Sequence, residues 1–246
     1  MSRMENTRRP RAVVYTAIFG DYDALKQPPP QEDPCDFICF TDSKMPSRVG
    51  AWRVIHIRRD PHVHPRVQAK RFKLLSHRIF PHGRLGTWYS PFSVRRRADL
   101  SIWIDASVQI KCPTFVKDMR NMLGDGSWAM FAHPDRDCIY EEALISITMP
   151  KYQTLPILPQ AEAYRSVVPP HGGLYACTVI VRREPLAEPL KRVQQLWWEE
   201  NIKWTYQDQL SLPFVLRCVG ECEPVRILES LWRNRWFDFM PHNSNA

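Results

Sequence analysis

The sequence predicts a single-domain α/β fold with a mostly parallel central sheet and helices on both faces. Short apolar runs of strand length alternate along the chain with longer segments whose apolar residues follow helical spacing. Three of the strand-like runs are followed by an aspartate, as expected where strands deliver polar groups to a ligand at one edge of a sheet. The 246 residues suffice for one large core and show no internal repeat.

The predicted strands are apolar runs bounded by turn residues or aspartates. They comprise residues 12–19, 36–40, 52–57, 101–104, 128–132 and 173–181. Most of these runs are apolar at consecutive positions, which indicates strands that are buried on both faces. The first run ends at Gly20-Asp21, a dipeptide typical of a sharp turn.

The predicted helices carry apolar residues at intervals of three and four. They comprise residues 68–80, 186–204 and 208–218, with a further helix at the end of the polar segment 134–149. In the first, Phe72, Leu75 and Ile79 form the apolar stripe, and Pro81 ends the segment. Strands that alternate with such helices favour helices on both faces of the sheet.

Composition divides the chain into a short lead and one domain. Residues 1–11 are basic and are predicted to be disordered, residues 12–243 form the domain, and the arginine-rich residues 82–98 form an excursion loop. The net charge of +8 predicts affinity for phosphates or other anions, although a solvated basic face is the plainer interpretation.

Cysteine usage and hydropathy predict a cytoplasmic protein. The seven cysteines are odd in number and form no CxxC motif, which favours reduced thiols. No apolar stretch reaches membrane-spanning length, and the N-terminus lacks the apolar region of a secretory signal. The basic surface is compatible with peripheral contact at the inner face of the membrane.

Aspartates follow three predicted strands. They are Asp21, Asp42 and Asp105, and parallel strands would bring them to the same edge of the sheet. A single aspartate in such a position is more often the cap of a turn or helix. Their recurrence favours a ligand site.

The segment SIWIDAS, residues 101–107, is the most informative short motif. It presents Asp105 at a strand end and Ser107 two residues later, on the same side if the chain stays extended. Mn²⁺ and Mg²⁺ favour oxygen ligands and commonly bridge carboxylates to phosphates. We therefore expect Asp105 and Ser107 at a divalent-cation site, with Ser107 the weaker ligand.

A second polar cluster follows the strand at residues 128–132. It contains the candidate site residues His133, Arg136, Asp137 and Glu141, of which Arg136 could clamp a phosphate or carboxylate. Adjacent glycines, Gly172 and Gly173, precede the next strand and would let a ligand approach the backbone. A solvated charged loop is the alternative for the first group, and an ordinary turn for the second.

Two candidates lie near the last predicted helices. Trp198 and Glu199 belong to a WWEE segment that could form a sugar-stacking wall or simply pack against the core. Asp208, followed by Gln209, lies where a helix begins, so the helix dipole would keep its carboxylate ionised. An ordinary N-cap is the alternative for Asp208.

Several common enzyme classes lack their signatures. The sequence contains neither GxGxxG nor GxxxxGK[ST], which disfavours classical dinucleotide and P-loop chemistry. It also lacks the GxSxG elbow of α/β-hydrolases.

A resemblance to a known family covers nearly the whole chain. The matching motifs, in order, are YTAIFGDYD (15–23), DFICFTD (36–42), AKRFKLLSH (69–77), SIWIDAS (101–107), HPDRDCIYEEA (133–143), GLYACTVIVRR (173–183), WWEE (197–200) and DQLSLP (208–213). With these motifs the chain resembles the glycosyltransferase-like domain shared by plant mucilage-related and turgor-regulation-defect proteins and by many bacterial proteins. The resemblance implies a GT-A fold, a Rossmann-like sheet that binds a nucleoside diphosphate sugar.

The resemblance also implies roles for individual residues. It places Tyr15, Thr16 and Asp42 at the base and ribose, Lys70 and Lys73 at the diphosphate, Asp105 at the DxD position, and Asp208 with Gln209 near the reacting sugar. The DxD motif is incomplete here, because Asp105-Ala106-Ser107 carries one carboxylate. His242 could supply a further ligand to Mn²⁺ or Mg²⁺.

The expected function is transfer of a sugar from a UDP- or GDP-linked donor to a saccharide or glycoconjugate acceptor in surface polysaccharide biosynthesis. No nucleic-acid partner is expected. Two alternatives remain open: hydrolysis of an amide lipid of the ceramide type, and non-catalytic binding of a sugar nucleotide or anionic polymer. The missing serine elbow and the absence of zinc-ligand spacing disfavour the hydrolase.

Overall fold

The computed structural model describes residues 11–81 and 97–242. The strands in these ranges are β1 (Ala12–Ile18), β2 (Cys35–Thr41), β3 (Arg48–Val49), β4 (Trp52–His56), β5 (Leu100–Ile104), β6 (Val108–Ile110), β7 (Trp128–Ala132), β8 (Tyr175–Arg183), β9 (Val225–Ile227) and β10 (Phe237–Phe239). The helices are α1 (Pro65–Leu74), α2 (Ser76–Ile79), α3 (Phe115–Leu123), α4 (Ile139–Ser146), α5 (Ile157–Ala163), α6 (Glu188–Lys203) and α7 (Asp208–Val219). A 3₁₀ turn covers Pro150–Tyr152.

Eight strands form the central sheet, in the order β3-β4-β2-β1-β5-β8-β7-β9. Strands β4, β2, β1 and β5 run parallel, and β9 is parallel to β7, whereas β3 and β8 run antiparallel to their neighbours. All six predicted strands belong to this sheet. The predicted α/β class is confirmed, with a sheet that is mixed at β3 and β8.

Helices cover both faces of the sheet, as predicted. In β1, Val13, Tyr15 and Ala17 pack into the apolar cluster that contains residues of α1, α6 and α7. The alternate residues Ala12 and Val14 pack into the cluster that contains α3 and the β6–β10 ribbon. This alternation explains why β1 is apolar at every position.

The segment predicted as one helix, residues 68–80, forms two. Helix α1 begins at Pro65, where the His64 side chain accepts a hydrogen bond from the backbone N–H of Arg66 at 3.2 Å. It ends at Leu74, because the φ of −105° and ψ of 44° at Leu75 are not helical, and α2 follows. Histidine is not among the preferred N-cap residues, but Pro65 at the first helical position is a start signal that the periodicity argument overlooked.

The two-stranded ribbon was also not predicted. β6 and β10 each have three residues and pair antiparallel, although more than 120 residues separate them, with Val108 opposite Phe239. Each strand is too short for a periodic signal, and no local pattern indicates such a remote pairing. The ribbon carries the C-terminal segment to the end of β5.

Some predictions concern parts of the chain outside the described ranges. These are residues 1–10 of the lead, residues 82–96 of the arginine-rich loop, and residue 243 at the end of the domain. Arg11 is described, and its guanidinium pairs with the Asp36 carboxylate. All seven cysteines are free thiols. Among the described helices, none combines the length and apolar character needed to cross a membrane.

Candidate active site

A cleft of about 380 Å³ opens where β1 and β5 end. Because these strands are parallel, the turns that follow them meet at one edge of the sheet. Helix α1, the start of α7 and the segment after β10 contribute the remaining walls. Seven of the residues selected from the sequence line this cleft: Lys70, Lys73, Asp105, Ser107, Asp208, Gln209 and His242.

A network of charges forms the floor of the cleft. The Asp208 carboxylate lies 2.5 Å from Lys70 Nζ and 2.7 Å from Lys73 Nζ. Lys73 Nζ also contacts Asp105 Oδ1 at 3.0 Å, and Trp103 Nε1 donates to the same oxygen at 2.8 Å. Lys70 and Lys73 are three residues apart on α1, so both reach the same side of the helix.

Burial makes the interactions in this network strong. Burial alone would raise the pKa of Asp208, but the Lys70 and Lys73 ammonium groups outweigh it and lower that pKa to about 2. Burial also works against the charged form of Lys73, yet Asp105 and Asp208 together raise its pKa. The pKa of Lys70 is lowered, because burial and the neighbouring Lys73 charge outweigh the attraction of the Asp208 carboxylate.

The backbone around Asp208 differs from an N-cap. Asp208 is the first residue of α7, the N-cap position is Gln207, and no side chain caps the helix. The carbonyl oxygen of Asp208 accepts a hydrogen bond from Trp197 Nε1 at 2.9 Å. The Asp208 side chain therefore pairs with the two lysines and does not cap the helix.

Two further cations line the cleft and were missed by sequence reasoning. Arg66 lies over the Tyr22 ring at 5.2 Å, and Lys151 lies over the Tyr152 ring at 4.6 Å. Neither side chain is paired with a carboxylate within residues 11–81 and 97–242. Burial, together with the Arg66 and Lys70 charges, lowers the pKa of Lys151 to about 8. Lys151 lies in a proline-containing turn that carries no recognisable motif.

Asp23 was also missed, although it belongs to the motif YTAIFGDYD. Its side chain is 1% exposed, and its oxygens contact Lys26 Nζ at 3.0 Å and His242 Nδ1 at 2.9 Å. The turn before it has a φ of +75° at Gly20, where a side chain would meet Pro65 of α1 at 3.0 Å. A glycine here lets β1 end close to α1 and directs Asp23 into the cleft.

The proposed cation ligands form an incomplete set. Asp105, Ser107 and His242 line the cleft, but Asp105 Oδ1 already accepts from Lys73 and Trp103, and His242 contacts Asp23. Oxygen and imidazole ligands of this kind suit Mn²⁺ or Mg²⁺. The carboxylates of Asp23 and Asp105 and the His242 imidazole do not all place ligand atoms within 4.8 Å of one another, so phosphate oxygens of a ligand would have to supply most of the coordination shell of an ion here.

His133 and Arg136 lie beside the cleft and not in its wall. Both contact the buried carboxylate of Glu142, Arg136 Nε at 2.7 Å and His133 Nε2 at 3.6 Å. Burial lowers the pKa of His133. Gln207 Nε2 donates to the other Glu142 oxygen at 3.1 Å, and Gln207 does line the cleft. This network reaches the cleft through Gln207.

The glycines and the remaining acidic candidates form a separate surface group. Asp137, Glu141 and His171 are exposed and place ligand atoms within 4.8 Å of one another; within the described residues this is the only such group of three. The Gly173 N–H donates to the Asp137 carbonyl at 2.8 Å, and Gly172 precedes it. None of these residues lines the cleft.

Five other candidates also lie away from the cleft wall. Tyr15 and Thr16 are buried, and the Tyr15 hydroxyl accepts from Arg182 at 2.9 Å. Asp42 accepts from the Gly20 N–H at 2.9 Å and therefore braces the turn after β1. Trp198 packs against the core, and Glu199 accepts from Gln195 on the same helix at 2.7 Å.

Comparison with known proteins assigns the chain to a family. The family model of the TOD1/MUCI70 glycosyltransferase-like domain matches residues 1–231. The chain belongs to this family. It is therefore, at the level of the family, a glycosyltransferase-like protein.

Two Arabidopsis thaliana proteins are similar to it. The protein named "Probable hexosyltransferase MUCI70" is 24% identical over 235 residues, covering 82% of this chain and 36% of the relative. The protein named "Alkaline ceramidase TOD1" is 26% identical over 163 residues, covering 57% of this chain and 32% of the relative. The matched regions thus span about a third of each relative's length.

Proposed function

We propose that this protein transfers a sugar from a UDP- or GDP-linked donor to a saccharide or glycoconjugate acceptor, in surface polysaccharide biosynthesis. The observation that carries the proposal is the convergence of Arg66, Lys70, Lys73 and Lys151 on one cleft at the ends of β1 and β5. Four cations in a partly enclosed site suit a ligand with several negative charges, such as a diphosphate.

The cations differ in what they can offer a donor. Lys70 and Lys73 are already paired with Asp208, whereas Arg66 and Lys151 are held against aromatic rings. Burial and the nearby Arg66 and Lys70 charges lower the pKa of Lys151 to about 8. An anionic ligand would therefore stabilise the Lys151 ammonium group. Arg66 and Lys151 are therefore our primary candidates for the diphosphate.

Asp208 suits stabilisation of positive charge better than proton transfer. A general base works best with a pKa near the operating pH, and the pKa of Asp208 is about 2. An ionised carboxylate at the cleft floor would stabilise the oxocarbenium-like centre that forms as the sugar leaves. Gln209, beside it in the cleft wall, would bind sugar hydroxyls without adding charge.

A divalent cation has a defined place in this proposal. Asp105, Ser107 and His242 would hold Mn²⁺ or Mg²⁺, which would withdraw negative charge from the departing diphosphate. Lys73 keeps Asp105 Oδ1 in a fixed position. Trp103 does the same through its indole N–H.

Amide-lipid hydrolysis is the second candidate, favoured by similarity to a protein named as a ceramidase. That reaction needs an activated water or nucleophile. Cys177 lines the cleft, but burial raises the pKa of its thiol well above the ordinary value. The thiol therefore stays protonated, and the cleft favours anion binding over nucleophilic attack.

The test is calorimetric titration with UDP and GDP, with and without Mn²⁺, followed by donor hydrolysis and ceramide hydrolysis assays. We expect binding of one nucleotide and loss of most affinity in Lys151→Ala. Lys191→Ala is the matched control, because Lys191 is an exposed lysine paired with Glu188 on α6. Failure of both nucleotides to bind, or ceramide turnover without donor hydrolysis, would contradict the proposal.

A further inference from the structure

One large aromatic side chain at the cleft is left exposed to solvent. Trp232 follows β9 and lines the cleft, yet 56% of its surface is accessible. Phe239 and Met240 line the cleft as well, and Met240 is 41% exposed. An exposed apolar patch inside a polar cleft usually marks a ligand contact.

The ring is fixed in position although it is exposed. Trp232 Nε1 donates to Asp135 Oδ1 at 3.2 Å, and the ring meets Phe239 edge-on at 5.1 Å. Phe239 belongs to β10, which pairs with β6, and the Met240 N–H donates to the Ser107 carbonyl at 2.8 Å. The ring is thus anchored from two directions, and a ligand would find it already ordered.

The surroundings of Trp232 differ from those of the cations. Asp135 follows β7 and Trp232 follows β9, two neighbouring strands at one edge of the sheet. The cations come from α1 and from the turn at Lys151. A carboxylate beside the indole disfavours an anionic ligand and can accept hydrogen bonds from hydroxyl groups.

We propose that Trp232, with Phe239 and Asp135, forms the acceptor subsite and selects a neutral saccharide that lays the C–H face of a pyranose ring on the indole. The proposal rests on the proposed sugar transfer. Flat aromatic rings bind apolar faces, and hexopyranoses with equatorial hydroxyls present such a face together with a polar edge. The donor's diphosphate remains with the cations, so the two substrates occupy chemically different parts of the cleft.

The variants that test this are Trp232→Ala, Trp232→Phe and the control Leu228→Ala. Leu228 is an apolar residue of the same segment, 79% exposed, and is not part of the cleft wall. In Trp232→Ala we expect the acceptor KM to rise at least ~10-fold, while donor KM and acceptor-free donor hydrolysis stay within about twofold. Trp232→Phe should be intermediate and Leu228→Ala normal.

Direct binding separates this proposal from the proposed function. Neutral oligosaccharides are titrated into the wild type and Trp232→Ala, with phospholipid vesicles as a second ligand. Wild-type binding of a saccharide that Trp232→Ala loses supports the subsite even if no sugar nucleotide binds. An unchanged acceptor KM and unchanged saccharide binding would overturn it, as would a Trp232→Ala defect confined to vesicle binding.

Discussion

Neutralising Asp208 is the most informative perturbation of this site. Asp208→Asn preserves shape but removes the negative charge that faces both Lys70 and Lys73. If Asp208 served only as a helix cap, asparagine would replace it with little effect. Because its side chain is paired with two ammonium groups, we expect losses of both stability and transfer activity.

The magnitude follows from the charges. The pKa of Asp208 falls from its ordinary value of 3.8 to about 2, which corresponds to about 2 kcal/mol in favour of the ionised, folded state. This contribution is present above pH 4 and is lost as the pH falls towards 2. Asparagine also leaves the buried Lys73 and the half-buried Lys70 with less negative charge, so the total cost should be about 3–5 kcal/mol.

The assay is a double-mutant cycle in urea with Asp208→Asn and Lys70→Met. Lys70→Met removes one of the uncompensated ammonium groups, so the double variant should recover about 1–3 kcal/mol relative to additivity. Asp238→Asn is the control, since Asp238 is an exposed aspartate paired with Lys111, and it should cost about 1 kcal/mol or less.

Activity is measured where each variant is folded. We expect Asp208→Asn and the double variant to transfer sugar at least ~100-fold more slowly while still binding nucleotide. A variant as stable as the wild type would refute the charge argument. Near-normal turnover would remove Asp208 from the mechanism and direct attention to Asp23 and Asp105, the other carboxylates of the cleft wall.

Three further predictions concern charge and packing around the cleft. Lys151→Ala should weaken nucleotide binding about 10-fold at pH 7. The affinity of the wild type for nucleotide should decline above pH 8, because Lys151 then loses its proton. Calorimetry across that pH range should show no such decline in the variant. Mn²⁺ should bind tightly only when nucleotide is present, and Asp105→Asn should abolish that binding in a paramagnetic resonance titration; tight binding to the free wild type would contradict this. Arg182→Met should cost about 3 kcal/mol in urea unfolding, because buried Arg182 donates to the Tyr15 hydroxyl and the Lys73 carbonyl. A loss no larger than that of Arg192→Met, at an exposed arginine of α6, would show that neither bond matters.

The sequence by itself determined the fold class and the edge at which the site lies. The apolar runs were long and continuous enough to identify β1, β2, β4, β5, β7 and β8. Parallel strands place the residues that follow them at one edge, which is why the recurrence of aspartates after predicted strands favoured a ligand site that includes Asp105. Lys70 and Lys73 were identified through motif resemblance, and their spacing on α1 agrees with the cleft they line.

Only the tertiary structure decided which candidates meet. Trp232, Lys151 and Asp23 reach the cleft from segments with no periodic pattern, and contacts between distant segments leave no local signal. Conversely, Tyr15 belongs to the motif YTAIFGDYD, but its side chain is buried in the core. Alternate residues of β1 face opposite sides of the sheet, and helices cover both sides. Local sequence sets which way a strand or helix turns its side chains. Which groups share a cleft depends on how the β6–β10 ribbon, α1 and α7 pack around the sheet, because that packing is non-local.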